Sequence, residues 1–388
     1  MLDRSATAPL QFSLNEGQIA VRDMARAFAE EFFAPNAVAW DEAKHFPVAE
    51  MRKAAELGMA GIYVAEEVGG SGLSRLDAVL IFEALASGCP TVAAYMSIHN
   101  MVAWMIDAYG SGEQRQKWLP ALCKMELLAS YCLTEPDAGS DAAALQSRAV
   151  RDGDCYVLNG QKLFISGAGA SGVYIVMART GGAGANGVSS LIVPGDAAGI
   201  SFGANERKMG WNAQPTRAVT FDDVRVPLAN RLGAEGEGFK IAMAGLDGGR
   251  LNIAACSLGG AQAALEKSLT YMRERRAFGK RLDEFQALQF RLADMATELE
   301  ASRTFLWRAA AALDRKEANA TVLCAMAKRF VTDACFEVAN QALQLHGGYG
   351  YLAEFGIEKI VRDLRVHQIL EGTNEIMRLI VARSLVGR

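Results

Sequence analysis

The chain has 388 residues, 51% of them hydrophobic and 22% charged, enough for two or three domains around substantial cores. A net charge of −4 leaves no basic footprint, which argues against a nucleic-acid partner. Seven scattered cysteines without a C-x-x-C pair read as reduced, buried thiols, and four histidines without ligand spacing predict no metal site.

Asp3 and Arg4 open the chain without an apolar stretch behind them, so no targeting segment is expected. The location implied is the cytoplasm for a bacterial chain, or the mitochondrial matrix for a processed eukaryotic one. From Asn15, a helix cap, the period is helical: Val21, Met24, Ala25, Phe28 and Phe32 recur at three and four. The most apolar run, Thr91 to Ile106, is broken by Ser97, His99 and Asn100 and falls short of the ~20 residues a bilayer requires, so it predicts a buried helix. These features define an α-helical unit over 1–127.

Over 128–238 the texture turns to short β-rich runs, including Tyr156 to Leu158, Leu163 to Ile165, Val173 to Val176, Leu191 to Val193 and Val219 to Phe221. Asp152-Gly153-Asp154 and Asn159-Gly160 predict turns between them, and the whole predicts a β barrel or sandwich. Gly167 to Gly172 and Gly182 to Gly187 both spell G-x-G-x-x-G, yet each leads into a strand pattern rather than a helix. They predict hairpin loops, not a dinucleotide fingerprint.

Over 239–388 helical spacing returns in four stretches, Phe239 to Arg275, Phe285 to Leu313, Asn319 to Leu345 and Thr373 to Val386, which predict an antiparallel four-helix bundle. The chain is thus expected to be a multi-domain α+β protein. Just before the last helix stands Gln368-Ile369-Leu370-Glu371-Gly372-Thr373. Ile369 and Leu370 would desolvate Glu371 and raise its pKa, Gly372 would admit a ligand closely, and Thr373 would cap the helix, the setting a proton-abstracting base needs, although a Glu beside a helix N-terminus also has a plain dipole reason to be there.

Tyr131 to Pro136, Gly139-Ser140-Asp141, Arg275 to Gly279, Gln344 to Gly348 and the Glu371 segment occur in an order that resembles the acyl-CoA dehydrogenases over nearly the whole chain. The resemblance implies FAD between the middle domain and the C-terminal helices. Tyr131, Leu133, Thr134, Gly139, Ser140, Phe164, Ile165, Ser166, Thr373, Asn374 and Glu375 would hold it, while Arg275, Phe278, Phe285, Gln286, Gln344, Leu345, His346, Gly347 and Gly348 would meet the FAD of a partner subunit. A homo-oligomer, usually a tetramer, and electron-transferring flavoprotein as acceptor follow from the same resemblance.

It further implies α,β-dehydrogenation of an acyl-CoA with Glu371 as the base. Members that carry the base on another helix place it where this chain has Gly249, which cannot take a proton. Ser140, Asp247, Arg250, Gly372 and Arg383 would contact the acyl-CoA, although Asp247 and Arg250 also read as an ordinary helix ion pair. Ser97 to Met101, Gly210-Trp211-Asn212 and Arg365 to Gly372 resemble the branch acting on isobutyryl-CoA, with Leu370 making room for an α-methyl and Tyr95 and Met96 closing a short pocket. A 2-methylbutyryl-CoA or short straight-chain specificity, an oxidase, and a DNA-associated flavoprotein of the same fold are the alternatives.

Overall fold

The computed structural model describes residues 13–387; Asp3 and Arg4 lie outside them. Helix α1 (Glu16–Phe28) starts at Asn15 through a reciprocal capping box with Gln18, and a single π-helical turn continues it to Phe33. Helices α2 (Ala37–Ala43), α3 (Val48–Glu56), α4 (Arg75–Gly88), α5 (Pro90–Tyr109) and α6 (Gly112–Cys123) follow.

The apolar run lies inside α5 and is almost wholly buried. Two of its polar interruptions, His99 and Asn100, satisfy backbone groups of neighbouring segments, while Ser97 donates back to the Ala94 carbonyl within the helix. Asn100 donates to the carbonyls of Met59 (3.0 Å) and Met96 (2.9 Å) and accepts from the Ile62 amide, and His99 bonds the Leu122 carbonyl and accepts from the Ala129 amide. Among the described residues no helix is long and apolar enough to cross a membrane.

The middle segment forms an eight-stranded sheet from β1 (Ala129–Cys132), β2 (Arg148–Asp152), β3 (Cys155–Ser166), β4 (Val173–Arg179), β5 (Val188–Pro194), β6 (Ile200–Phe202), β7 (Thr216–Pro227) and β8 (Arg231–Leu232). The order is β6-β7-β3-β2-β4-β5-β8, with β1 parallel to β4. The Asp152-Gly153-Asp154 turn joins β2 to β3 as expected. Asn159-Gly160 does not turn the chain: it is a bulge inside β3, where the register against β7 slips between Leu158 and Gly160. Of the two glycine loops, Gly182 to Gly187 joins the antiparallel pair β4 and β5. Gly167 to Gly172 is not a hairpin, because β3 and β4 are not neighbours and the loop crosses over β2.

The last segment carries α7 (Gly238–Glu274), a small hairpin of β9 (Arg276–Ala277) and β10 (Lys280–Arg281), α8 (Gln286–Asp314), α9 (Ala320–His346), α10 (Ile357–Arg365) and α11 (Asn374–Leu385). Helix α7 is buried on most of its circumference, as a helix without a polar face must be. It packs against α8 and α9 and also against α4 and α5 of the first segment, so the main core is continuous between the two helical regions. The short α10, absent from the sequence expectation, packs on α7 and α9. All seven cysteines are free, and only Cys155 escapes full burial.

Candidate active site

Glu371 (φ 57°) and Gly372 (φ 85°) are consecutive left-handed residues between the turn Val366–Gln368 and α11. For a non-glycine residue that conformation costs roughly 1–2 kcal/mol, so the surroundings must hold it. Lys328 of α9 donates to the Gly372 carbonyl (2.9 Å) and to Asn374 Oδ1 (2.8 Å). Asn374 Nδ2 donates to Asp333 (2.7 Å), which also accepts from Gln368 Nε2, and Arg250 Nε donates to the Glu371 carbonyl (3.3 Å). Thr373 caps α11 through the Ile376 amide.

The Glu371 carboxylate lies against α7, where a Cβ on Gly249 would sit 2.5 Å from Oε2. That oxygen is buried with no hydrogen-bond partner. Burial raises the pKa to about 7, against the opposing pull of Arg250 and Lys328. The sequence expectation of a raised pKa holds, but its agent differs. Ile369 is half-exposed; the carboxylate lies instead against Gly249 of α7, and its charge further opposes the ionisation of the buried Tyr131 and Tyr63. The Tyr131 hydroxyl is a second buried group without a partner.

One turn of α7 carries the neighbouring ion pair, Arg250 Nη1 to Asp247 Oδ1 at 2.7 Å, with Thr321 donating to the other Asp247 oxygen at 2.6 Å. Glu371, Gly372, Asn374, Asp247, Arg250 and Tyr131 are therefore one constellation. Sequence reasoning missed Lys328 and Tyr63. Lys328 did carry a signal, a lone cation on the otherwise apolar buried face of α9.

Around the start of the sheet, the Leu133 carbonyl accepts from Lys162, itself paired with Glu135 at 2.8 Å in a buried bridge, and Thr134 O accepts from the Leu163 amide. Gly139 and Ser140 are exposed. Ile165 points into the core while Phe164, at φ 59°, stands 63% exposed; Gln214 donates to Ser166 Oγ at 3.2 Å.

A third group is separate. Arg275, Gln344, Leu345, His346, Gly347 and Gly348 line a concavity of about 600 Å³. Beside it, Phe278 and Gly279, both left-handed, form the tip of the β9–β10 hairpin, and Phe278 is 95% exposed with its ring edge-on to Phe285 at 6.4 Å. Gln286 opens α8 nearby. Lys328, at the Glu371 turn, and His346 lie five turns apart on α9, roughly 27 Å along its axis.

Tyr95 and Met96 are fully buried, and the Tyr95 hydroxyl bridges the Ala129 carbonyl and Ser171. Leu370 packs against the main core. Glu375 and Arg383 are exposed on α11, Glu375 paired with Arg378. Among the described residues no cluster could hold a metal ion.

Three family models match in succession: the acyl-CoA dehydrogenase N-terminal domain over 15–126, the middle domain over 130–224 and the C-terminal domain over 236–386. The chain belongs to the acyl-CoA dehydrogenase family. It is 55% identical over 373 residues to the mitochondrial isobutyryl-CoA dehydrogenase of Bos taurus, covering 96% of this chain and 90% of that relative. The structure of butyryl-CoA dehydrogenase from Megasphaera elsdenii superposes with a TM-score of 0.94 at 37% identity, covering 97% of this chain and all of that one. A chain solved in work on the electron transferring flavoprotein of Acidaminococcus fermentans reaches 0.95 at 40% identity, over 98% and 100% of the two chains.

Acyl-CoA dehydrogenases use FAD, and the residues present fit it. The chain exposes Phe164 and Phe278 at strained backbone positions where only a flat partner repays an aromatic ring, and Gly347 and Gly348 have open space where a Cβ would stand. The partnerless Tyr131 hydroxyl and Glu371 Oε2 mark where ligand atoms would meet the protein.

Proposed function

We propose that this acyl-CoA dehydrogenase oxidises isobutyryl-CoA to methacrylyl-CoA, with Glu371 as the base. The observation that carries the assignment is the Glu371 carboxylate: its Oε2 buried and free of hydrogen bonds, poised near neutral pH and set beside the Asp247–Arg250 pair. A carboxylate tied up in an ion pair would be a weaker base. Glu371 takes the α-proton as the α-carbon–hydrogen electrons move into the new double bond, and its backbone N–H donates to the thioester oxygen, which acidifies that carbon. The bound flavin supplies the acceptor for the β-hydrogen and its electron pair.

Arg250 and Asp247 orient the thioester, with Ser140 and Arg383 on the CoA moiety. Tyr131, Leu133, Thr134, Gly139, Phe164, Ile165, Ser166 and Thr373 to Glu375 form the protein's own cofactor bed. The concavity around Arg275 and Gln344 to Gly348, with Phe278, Phe285 and Gln286, belongs to the FAD of a second subunit in a tetramer. Its distance along α9 from the Glu371 turn supports that reading, since one cofactor set against Glu371 has its own bed in the sheet. The three family matches support units at 1–127, 128–238 and 239–388, and the Acidaminococcus neighbour supports electron-transferring flavoprotein as the acceptor.

The α-branched substrate follows the bovine relative's name and Leu370, whose aliphatic side chain precedes the base. The experiment is anaerobic reduction of the yellow protein by isobutyryl-, 2-methylbutyryl-, n-butyryl- and isovaleryl-CoA. The highest kcat/KM is expected for isobutyryl-CoA. Preference for n-butyryl-CoA overturns the substrate assignment, and bleaching by none of them overturns the dehydrogenase reading of this site.

A further inference from the structure

Helix α7 carries Gly248 and Gly249 in its interior, where each glycine costs about 1 kcal/mol relative to alanine. Close approach accounts for both. A Cβ on Gly249 would meet the Glu371 carboxylate, and one on Gly248 would lie 2.4 Å from Arg75 Nη1. Successive helical residues face about 100° apart, so the base and the Arg75 guanidinium flank one corner of the same helix.

Arg75 enters this corner from the first turn of α4. Its backbone amide donates to Asp314 (2.7 Å), which fixes the helix start, while the guanidinium stacks on Tyr63 at 3.7 Å and lies 4.7 Å from the Trp104 ring centroid. Tyr63 is itself held by Asn252 of α7 at 3.1 Å. Arg75 is only 8% exposed, and Nη1 is buried without a hydrogen-bond partner. No ion pair among the described residues involves it. A guanidinium held rigid between rings with one nitrogen unsatisfied is arranged to receive an oxygen acceptor brought by a ligand.

We propose that Arg75 is a substrate-binding residue whose Nη1 donates a hydrogen bond to the cysteamine amide carbonyl of the acyl-CoA, the first acceptor beyond the thioester sulfur. This rests on the dehydrogenase reading of the Glu371 site. Two methylenes and the amide nitrogen separate that carbonyl from sulfur, which suits a donor one helix position from the base; the CoA phosphates lie much further out. The carbonyl is neutral and suits a guanidinium already stacked on aromatic faces. Arg75 thereby anchors the thioester arm so that the α-carbon stays over Glu371.

The test compares wild type, R75K and R75M holoenzyme on isobutyryl-CoA, on the N-acetylcysteamine thioester, which keeps the amide, and on S-butyl thioisobutyrate, which lacks it. R75M is expected to lose about 10- to 100-fold in kcat/KM on the first two and little on the third, as fits one hydrogen bond to a charged group. R75K, which keeps the cation and stem, is expected to recover part of that loss. Equal losses on all three thioesters, or none, overturn the assignment. Failure of wild type on all three counts against the dehydrogenase reading instead, and flavin content of each variant separates misfolding from lost recognition.

Discussion

Glu371 sits in a left-handed backbone, with one carboxylate oxygen lacking a partner and two cations near enough to act on it without neutralising it by direct contact. Its ordinary pKa of 4.5 rises to about 7, so the free enzyme's kcat/KM should climb with pH and level off above neutrality, where the base is ionised. A profile flat from pH 5.5 to 8 would contradict this. The same shift acts on stability with a definite sign. Between pH 4.5 and 7 the unfolded chain gives up this proton while the folded chain keeps it, so the fold weakens as pH rises, by up to about 3 kcal/mol above pH 7. E371Q should therefore be more resistant to urea than wild type at pH 8 and nearly equal to it at pH 5. Equal resistance at both values would mean the site is wetter than the geometry implies. Gly249→Ala offers a contrast: helix propensity alone would stabilise α7, but the methyl displaces the carboxylate, and a fall of at least tenfold in kcat is expected. The raised pKa of Glu371 was legible in the sequence, because a carboxylate between apolar residues and a glycine, just before a cap, is a local pattern; the role of base came from the family resemblance. Lys328 stood out only as a cation on a buried helix face, and Arg75 not at all, because their partners come from segments far away in the chain.

The β9–β10 hairpin shows the limit of local rules at the level of an element. Two left-handed residues at its tip are the mark of a type I′ turn, where Asn-Gly is favoured, yet the chain has Phe278-Gly279. The bulky residue destabilises the turn and leaves its ring in water, which fits the proposed contact of Phe278 with FAD. Phe278→Asn should keep or raise thermal stability of the protein while lowering flavin occupancy. Unchanged occupancy after dialysis would remove Phe278 from the cofactor site. Elsewhere Asn159-Gly160 carried the same turn signal and gave a bulge, because β3 runs on through it to pair with β7 over its full length. Turn chemistry fixes what the backbone can do locally, and pairing with a distant strand decides whether the chain reverses. Helix α10 escaped notice for a related reason: nine residues are too few for a period to stand out.

For the molecule as a whole, the order of helices, sheet and helices was legible from periodicity, and the four long helical stretches of the last segment lie within a residue or two of their expected limits. The packing of α4 and α5 onto α7 was not, since nothing in a sequence pattern says which apolar faces meet. If the Arg275 concavity holds a second subunit's FAD, cofactor loading and assembly are linked by mass action. Arg275→Ala should then release flavin and shift the protein toward smaller species together, as read by absorbance and sedimentation; a fully loaded monomer would refute the shared site. The most direct test of the central claim is rapid anaerobic mixing of E371Q holoenzyme with isobutyryl-CoA. The amide keeps the shape of the side chain and removes the base, so the thioester should bind while flavin reduction slows by at least ~10²–10⁴-fold. Reduction at close to the wild-type rate would mean that another group takes the proton.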